Sequence, residues 1–286
     1  MISIVGIGNG ASAIAQKFND FPQYNVYLLN DKVQRNAGRK RKLKRFEAPE
    51  EYEKNIPNLA KYFSKIDEHV QVFVMGSSFS SNYALGVIEQ INTKKIDLLY
   101  IKPDVTLLTG IPALLENTTF GVLQEYARSG IFNSITLISN PKLELAVGNV
   151  PVKKYYDHLN SSIVSTCHYL NYFSHNEPEI GVMAKPEETF RIRTVGLIDP
   201  QKVAEKWFFD LDMKRQVCYY FCINKDKLEN DGTLHKRIVD ILKSKPRNAF
   251  RKVSYAIYQT DHGKDFGFVV AHTNAIQQQN TLDKIG

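Results

Sequence analysis

The spacing of apolar and polar positions divides the chain near residue 150. Before that point, short apolar runs alternate with helical patterns, the order expected of a parallel sheet covered by helices. The runs predicted as buried strands are residues 2–6, 25–29, 70–75, 98–102 and 134–138. Apolar side chains at 151–173 then follow a helical period, with Pro151 placed for a first turn, and predict one long amphipathic helix.

A shorter block follows this helix. Residues 174–188 are polar and contain prolines, which predicts a loop. The strands predicted beyond it are residues 190–198, 216–223, 253–258 and 266–272. The remaining predicted helices are one that ends near residue 18 and those at 49–66, 83–91, 116–128, 202–209 and 234–243.

The expected organisation is therefore an α/β fold of two blocks joined by a helix. Its predicted parts are a parallel-sheet nucleotide-binding domain at 1–150, a central helix at 151–174, a smaller α+β domain at 175–276 and a polar tail at 277–286.

The composition indicates where the protein is located and which kinds of segment and site it lacks. No run approaches the ~18 apolar residues of a membrane helix, and the chain enters a strand directly rather than through a signal-peptide pattern. Cys167, Cys218 and Cys222 form no CxxC pair, and no cysteine–histidine set has zinc spacing. We therefore expect a cytosolic protein, no membrane contact, core cysteines and no metal site in the protein itself.

Seven basic residues fall within eleven positions, with no acid among them: Arg35, Arg39, Lys40, Arg41, Lys42, Lys44 and Arg45. Removing them from the 37 basic residues leaves 30, which equals the number of acidic residues. The net charge of +7 is therefore one local feature. This basic loop could contact DNA, a phosphate or an acidic partner, or could be a flexible solvated loop. It has no interleaved aromatic residues to stack on bases.

A glycine-rich loop lies between the first predicted strand and its helix. Gly6, Gly8, Asn9 and Gly10 would bring the backbone and a helix N-terminus close to a phosphate. The next strand ends at Asn30-Asp31, so the pattern approximates GxGxxA followed by an acid about twenty residues later. This is the fingerprint of dinucleotide binding, and an NAD-dependent oxidoreductase is one interpretation.

A second small-residue loop follows the strand at 70–75. It begins at Gly76, contains Ser77, Ser78, Ser80 and Ser81, and enters another helix. Serine hydroxyls and backbone N–H groups there could also hold phosphate. Two such loops in one parallel-sheet unit indicate a nucleotide with several phosphates.

The order of these motifs resembles the tubulin/FtsZ superfamily over about residues 2–275. GIGNG at 6–10 resembles its first glycine-rich loop, and residues 72–82 occupy the place of its GGGTG[ST]G loop. ISNPKL at 138–143 is similar to its IPNxxL motif, and YYxxLN at 155–160 resembles the AFxxAN start of its core helix. FGFVVAHT at 266–273 resembles its last strand.

The resemblance implies a guanine-nucleotide site and head-to-tail filaments. GTP or GDP, with Mg²⁺ as an accompanying ion, would contact the two loops, Asn30 and Asn140, and Asn160 would bond the guanine. In this family the next subunit closes over the nucleotide. Short, divergent relatives are typical of plasmids and bacteriophages, so a host cytoplasm is one expected location.

Three departures qualify these expectations. Only Gly76 is clearly retained in the second loop, and Phe79 is the bulkiest substitute. The family's catalytic carboxylates after the core helix would fall at 181–185, where there is none. The substitutes nearby are Glu177, Glu179, Glu187 and Glu188. The chain also ends soon after its last strand, which argues against a bacterial division role.

Three functions therefore remain open. The first is a nucleotide-binding filament subunit with weak or absent GTP hydrolysis. The second is a scaffold that keeps the fold without the nucleotide and uses the basic loop to hold DNA or protein. The third is the NAD-dependent oxidoreductase, which has no counterpart to the central helix or to the second loop.

Overall fold

The computed structural model describes residues 1–48, 50–91, 95–201, 204–245 and 251–278. Within these residues, twelve strands form one sheet. The strands of the first block are β1 (Ile2–Ile7), β2 (Tyr24–Asn30), β3 (Lys40–Lys42), β4 (His69–Met75), β5 (Lys95–Lys102) and β6 (Ser134–Ser139). Those of the second are β7 (Ile180–Val182), β8 (Ile192–Ile198), β9 (Glu205–Trp207), β10 (Gln216–Asn224), β11 (Lys252–Thr260) and β12 (Phe266–Thr273).

The two blocks share the sheet. The strand order is β3-β2-β1-β4-β5-β6-β8-β12-β10-β11-β7, with β9 beside β8. All pairs from β3 to β6 are parallel, and β6 also pairs in parallel with β8. The β8–β12, β12–β10 and β11–β7 pairs are antiparallel. The boundaries predicted between the domains stay a prediction.

Helices cover both faces of the sheet. Their bounds are α1 (Asn9–Gln16), α2 (Glu50–Lys54), α3 (Ala84–Ile88), α4 (Ile111–Arg128), α5 (Asn140–Val147), α6 (Tyr155–Phe173), α7 (Lys225–Asn230) and α8 (Leu234–Ser244). Buried side chains of α1, α5 and α6 share one core cluster, and those of α3, α4 and α8 share another. Within the described residues, no helix is both long enough and apolar enough to cross a bilayer.

The predicted long helix is α6, and it packs against both blocks. Its first half contributes Leu159 and Ile163 to the core formed with α1 and α5. At its other end, Phe173 stacks on Tyr220 of β10 with ring centroids 4.9 Å apart. Asn171 exchanges two side-chain hydrogen bonds, of 2.8 and 3.0 Å, with Gln71 near the start of β4. The C-terminal end of α6 therefore lies at the amino edge of the first block.

Two predicted helices are corrected by the structure. Only α2 forms within 49–66, Pro49 lies outside the described residues, and the segment after Lys54 contains Pro57, which cannot continue a helix. In 202–209, residues 202–203 are not described and Glu205–Trp207 is strand β9. Gly196 of β8 explains that strand, because a Cβ there would lie 2.6 Å from the carbonyl oxygen of Lys206.

Three further segments differ in detail. The helix predicted at 116–128 begins earlier, at Ile111, where Gly110 has φ +60° and Pro112 occupies the first turn. The basic loop contains strand β3, and the loop predicted at 174–188 contains strand β7. Both strands lie at sheet edges, where the alternation that marks a buried strand is absent.

A buried carboxylate ties three strands together at the amino edge. Asp97 Oδ2 lies 2.7 Å from His69 Nε2, and its Oδ1 accepts hydrogen bonds from Asn133 Nδ2 (2.7 Å) and Ser134 Oγ (2.6 Å). Burial alone would raise the pKa of Asp97. The hydrogen bonds from His69, Ser134 and Asn133, together with nearby Arg193, outweigh burial and hold this pKa well below its usual range.

We expect Asp97→Asn to reduce stability in a pH-dependent way. The folded-state pKa is depressed, so the stabilisation is complete above the unfolded pKa of about 3.9 and is lost as the pH falls. At pH 7 the variant should lose about 1–3 kcal/mol of unfolding free energy, and this difference should shrink below about pH 4. Urea unfolding across this pH range measures it, with the exposed Asp261→Asn as control. A pH-independent difference would contradict the assignment.

Candidate functional site

The sheet reverses its winding direction between β1 and β4. From β1 the chain moves outward through β2 and β3, and from β4 it moves the other way through β5 and β6. In such sheets, ligands bind at this switch point, beyond the carboxyl ends of the strands. Gly8 follows β1 and Gly76 follows β4, and the parallel register puts Ile7 opposite Val74. The two predicted loops therefore leave the sheet side by side.

The first loop has one glycine required by conformation and two with close neighbours. Gly8 has φ +93° and caps α1, and a Cβ there would lie 3.2 Å from Ser80 Cβ in the second loop. A Cβ on Gly10 would lie 2.6 Å from Met75 Sδ, and one on Gly6 would lie 2.8 Å from the backbone of α1. The N–H groups in the first turn of α1 have no helical acceptor and can donate to an anion.

The polar residues at the end of β2 form hydrogen bonds with nearby groups of the chain. Asn9 Nδ2 donates to Asp31 Oδ1 over 2.6 Å, and buried Asn30 accepts at Oδ1 from the N–H of Lys32 over 3.1 Å. The Oδ1 atom of Asn9 is buried and has no partner among the described residues. This orphaned acceptor, on the first residue of α1, fits a ligand that carries a hydrogen-bond donor.

Two of the serines close the second loop on itself. Ser78 Oγ accepts from the N–H of Ser81 over 3.2 Å, and Ser81 Oγ donates to the carbonyl of Ser78 over 2.6 Å. Ser77 has φ +54°, a left-handed conformation that the family's glycine would adopt without strain. The hydroxyls of Ser77 and Ser80 make no hydrogen bond with a described residue. Two hydroxyls therefore remain for a ligand.

The largest side chain of this loop faces outward. Phe79 is 44% exposed, and the guanidinium carbon of Arg45 lies 4.0 Å from its ring centroid. The carbonyl of Lys44 accepts a 2.9 Å hydrogen bond from Tyr83 OH, at the end of the same loop. Phe79 therefore does not fill the space between the two loops. The basic loop ends beside the candidate site.

A carboxylate that the sequence did not indicate lies under the second loop. Glu116 of α4 is fully buried and accepts a 2.7 Å hydrogen bond from Tyr100 OH, and the backbone N–H of Ser77 lies near enough to lower its pKa. A Cβ on Gly76 would collide with Oε2, while Oε1 has no partner among the described residues. Burial raises the pKa of Glu116, opposed in part by the Tyr100 hydrogen bond and by Lys102.

Glu116 changes what the second loop can offer to an anion. The N–H of Ser77 already interacts with the protein's own carboxylate, which would compete with a phosphate for it. Gly76 makes room for Glu116 rather than for a ligand. Anion binding would then depend mainly on the first turn of α1 and on the remaining hydroxyls.

The two asparagines predicted beyond these loops lie at the same end of the molecule. Asn140 begins α5 directly after β6. Asn160 lies on the first half of α6, next to the turn where Asp157 Oδ1 meets Lys17 Nζ at 2.6 Å. Both asparagines are half-buried, and neither side chain makes a hydrogen bond within the described part of the chain. Two side-chain amides are thus available to form hydrogen bonds with a ring that carries donors and acceptors.

The four candidate catalytic glutamates lie at the other end of α6. This helix has 19 residues and is about 28 Å long, which separates them from the loops of their own chain. Glu187 pairs with Lys252, and the N–H of Glu179 donates to the carbonyl of Ile257. The place predicted for the carboxylates, residues 181–185, begins inside β7, which ends at Val182. All four are exposed: Glu177, Glu179, Glu187 and Glu188.

The candidate nucleotide contacts thus lie together in the structure. The four candidate catalytic glutamates lie apart from them, at the other end of α6. Glu116, Tyr100 and Arg45 are the neighbours that sequence reasoning missed. Of these three residues, only Arg45 was marked in the sequence, because it is the last residue of the basic run. Among the described residues, no group of three or more His, Cys, Asp and Glu side chains could hold a metal ion.

Known proteins resemble this chain in structure and not in sequence. No protein-family model and no curated protein matches the sequence. A GTPγS-form protofilament of TubZ from Bacillus thuringiensis serovar israelensis matches with a TM-score of 0.73 and 12% identity, over 97% of this chain and 87% of that one. An empty FtsZ dimer from M. jannaschii gives 0.66 and 12%, over 95% and 88%. GTPγS-bound CetZ2 from Haloferax volcanii gives 0.64 and 12%, over 96% and 94%.

The fold is tubulin/FtsZ-like. The match extends over nearly the whole chain and includes both blocks of the sheet. The predicted α/β fold is therefore confirmed. This tubulin-like protein differs locally from the family pattern, in a second loop that is rich in serine and held by a buried glutamate.

We expect Glu116→Gln to stabilise the protein near neutral pH. The raised pKa means that the folded state binds the proton more tightly, so stability falls as the pH rises from about 4.3. Glutamine keeps the volume and an acceptor without the buried charge. The gain in unfolding free energy should be larger at pH 7 than at pH 4. Urea unfolding at both values, with the exposed Glu229→Gln as control, tests this, and a loss at pH 7 would refute it.

Proposed function

We propose that this tubulin-like protein binds GTP or GDP and assembles head-to-tail into filaments, with slow or absent GTP hydrolysis. The phosphates would be held by the first turn of α1 and the free hydroxyls of the second loop. The base would be held by Asn140 and Asn160. Mg²⁺ would be bound chiefly by the phosphates, as it commonly is in nucleotide sites.

The observation that carries the nucleotide proposal is the pairing of two loops at the switch point. Gly8 caps α1 beside Ser80, and Asn9 keeps a buried acceptor that has no partner among the described residues. An asparagine amide suits guanine, because its oxygen accepts from N1 and N2 while its N–H group donates to O6. Asn160 has an amide free for that purpose.

Filament assembly is supported by the separation of the two ends of α6. The candidate site lies at one end and residues 174–188 lie at the other, so contact between copies joins unlike surfaces. Heterologous contacts that do not close into a ring yield filaments. The similar TubZ from Bacillus thuringiensis has been described as a two-stranded filament.

Slow hydrolysis is supported by the segment after α6. Strand β7 replaces the expected acidic position, and Glu187 is held by Lys252. Glu177, which lies soonest after the helix, is the best remaining candidate to polarise a water on the next subunit's nucleotide. The interaction of the Ser77 N–H with Glu116 would also compete with the phosphate for that donor.

One observation favours the second candidate, a scaffold without nucleotide. Ser78, Ser81 and the N–H of Ser77 already have partners within the protein, as an emptied site would. The oxidoreductase is less favoured, because the Asp31 carboxylate needed for a ribose accepts from Asn9. A plasmid or bacteriophage origin and a cytoplasmic location, including that of a host cell, stay predictions.

The nucleotide proposal predicts selective thermal stabilisation. With Mg²⁺ present, GTPγS and GDP should raise the melting temperature most, ITP less because it lacks N2, and ATP and NAD least. At a hundredfold excess over Kd the gain is about 2.7 kcal/mol. Asn160→Ala should reduce the shift, whereas Asn176→Ala, beyond the far end of α6, should not.

Each other outcome of that measurement favours a different function. Stabilisation by NAD and not by GTPγS would favour the oxidoreductase. No shift with any nucleotide would favour the scaffold. An equal loss of the shift in Asn160→Ala and Asn176→Ala would reject the base contact.

The filament proposal predicts persistent polymers. Protein incubated with GTP should pellet as fully as protein with GTPγS and remain pelleted, with phosphate release near background. Glu177→Gln should remove any residual release, and Glu187→Gln should leave it unchanged because that carboxylate is bound to Lys252. Rapid release accompanied by loss of the pellet would contradict slow hydrolysis.

A further inference from the structure

The basic loop is an ordered ribbon at the edge of the sheet. Ala37 and Lys40 exchange backbone hydrogen bonds of 3.2 and 3.0 Å around Gly38, which has φ +53°. Asn36 Oδ1 accepts from the N–H of Lys42 over 2.7 Å, and Tyr62 OH donates to the carbonyl of Arg39 over 2.8 Å. Residues 35–45, here named the basic ribbon, are therefore fixed in position before any partner arrives.

The charge of this ribbon is not neutralised by the part of the chain that the structure describes. None of its seven cations forms an ion pair with an acidic side chain in the described residues. All but the half-buried Arg41 are exposed. The rest of the chain is neutral in sum, so the ribbon is a concentrated site for a polyanion.

We propose that the basic ribbon binds the phosphate backbone of double-stranded DNA without regard to sequence. The contact goes beyond nucleotide binding and filament assembly and needs neither. On strand β3, Lys40 and Lys42 share the exposed face and Arg41 is half-buried. Same-face cations on a strand lie about 6.6 Å apart, because alternate residues share a face, so neighbouring cations can contact successive phosphates of a duplex.

The composition of the ribbon favours duplex DNA over other polyanions. Its side chains include no aromatic residue to stack on an unpaired base, as single-strand binders have. Arg39 and Arg45 instead lie over Tyr27 and Phe79 of the protein itself. Leu43, its largest apolar residue, is buried and cannot enter a lipid surface. The exposed groups of the ribbon are therefore its charged side chains. Such groups contact backbone phosphates and do not distinguish between bases.

A single ribbon would bind weakly, and assembly would strengthen the contact. Sequence-independent DNA binding typically has a Kd of about 10⁻⁴–10⁻⁶ M at physiological salt. If the proposed filament forms, one ribbon per subunit would face the same polyanion, and linked sites raise the overall affinity. This enhancement rests on the proposed function, whereas the binding of one ribbon does not.

Fluorescence anisotropy of a labelled random-sequence duplex, with no nucleotide and over a series of salt concentrations, tests the proposal. The ribbon variant is R35Q/K40Q/K42Q, which leaves Arg45 beside the candidate nucleotide site. The matched control, K61Q/K185Q/K236Q, removes the same charge from exposed positions elsewhere. Equal melting temperatures of both variants establish that they are folded.

Wild type and control should bind with a steep salt dependence. The ribbon variant should bind at least about tenfold more weakly, and its slope of log K against log salt should be shallower by about 3, roughly one per lost phosphate contact. Equal weakening in the control would attribute binding to net charge and overturn the proposal. So would stronger wild-type binding to single-stranded DNA, acidic vesicles or polyglutamate. The melting shift that nucleotide induces should be the same in the ribbon variant and in wild type. That result would show that a loss of DNA binding is not caused by failure of the nucleotide site.

Discussion

The packing of one helix against two parts of a single sheet sets the geometry of this protein. Helix α6 buries its first half against α1 and α5 and its last turn against β10. The Gln71–Asn171 pair fixes its register, because two buried amides that lost each other would each remain unsatisfied. Asn160 is consequently held near the switch-point loops, and the acidic segment is held at the opposite end. A polar subunit with two unlike ends follows from this packing.

The second loop shows how one fold can be kept while its chemistry shifts. Where the family pattern has glycines that let phosphate approach the backbone, this chain has serines that bond to one another. Beneath them, the carboxylate of Glu116 interacts with the Ser77 N–H, and an anion would have to compete for this donor. Anion binding would then depend on α1 and on polar side chains. Weak hydrolysis and retained binding are compatible in such a site, since positioning the phosphates and activating water use different groups.

Elements marked by a repeating pattern of apolar residues could be predicted from the sequence. Features that depend on contacts between residues far apart in the chain could not. The period of α6 and the apolar runs of β1 and β4 are local patterns, so these elements and their loops were predictable. The role of Glu116 depends on Gly76 and Tyr100, which meet it only in the folded chain. Strand β9 forms because Gly196 admits a neighbouring backbone, and that contact overrides the helical pattern at 202–209. The short edge strands β3 and β7 have no apolar alternation to reveal them.

A structure of the purified protein with GTPγS and Mg²⁺ tests the central claim most directly. The account predicts phosphate density over the first turn of α1 beside Ser80, guanine between Asn140 and Asn160, and the Tyr100–Glu116 hydrogen bond still in place. Density elsewhere, or an empty site at saturating nucleotide, would contradict it. In that case the tubulin-like fold would serve as a scaffold in this protein.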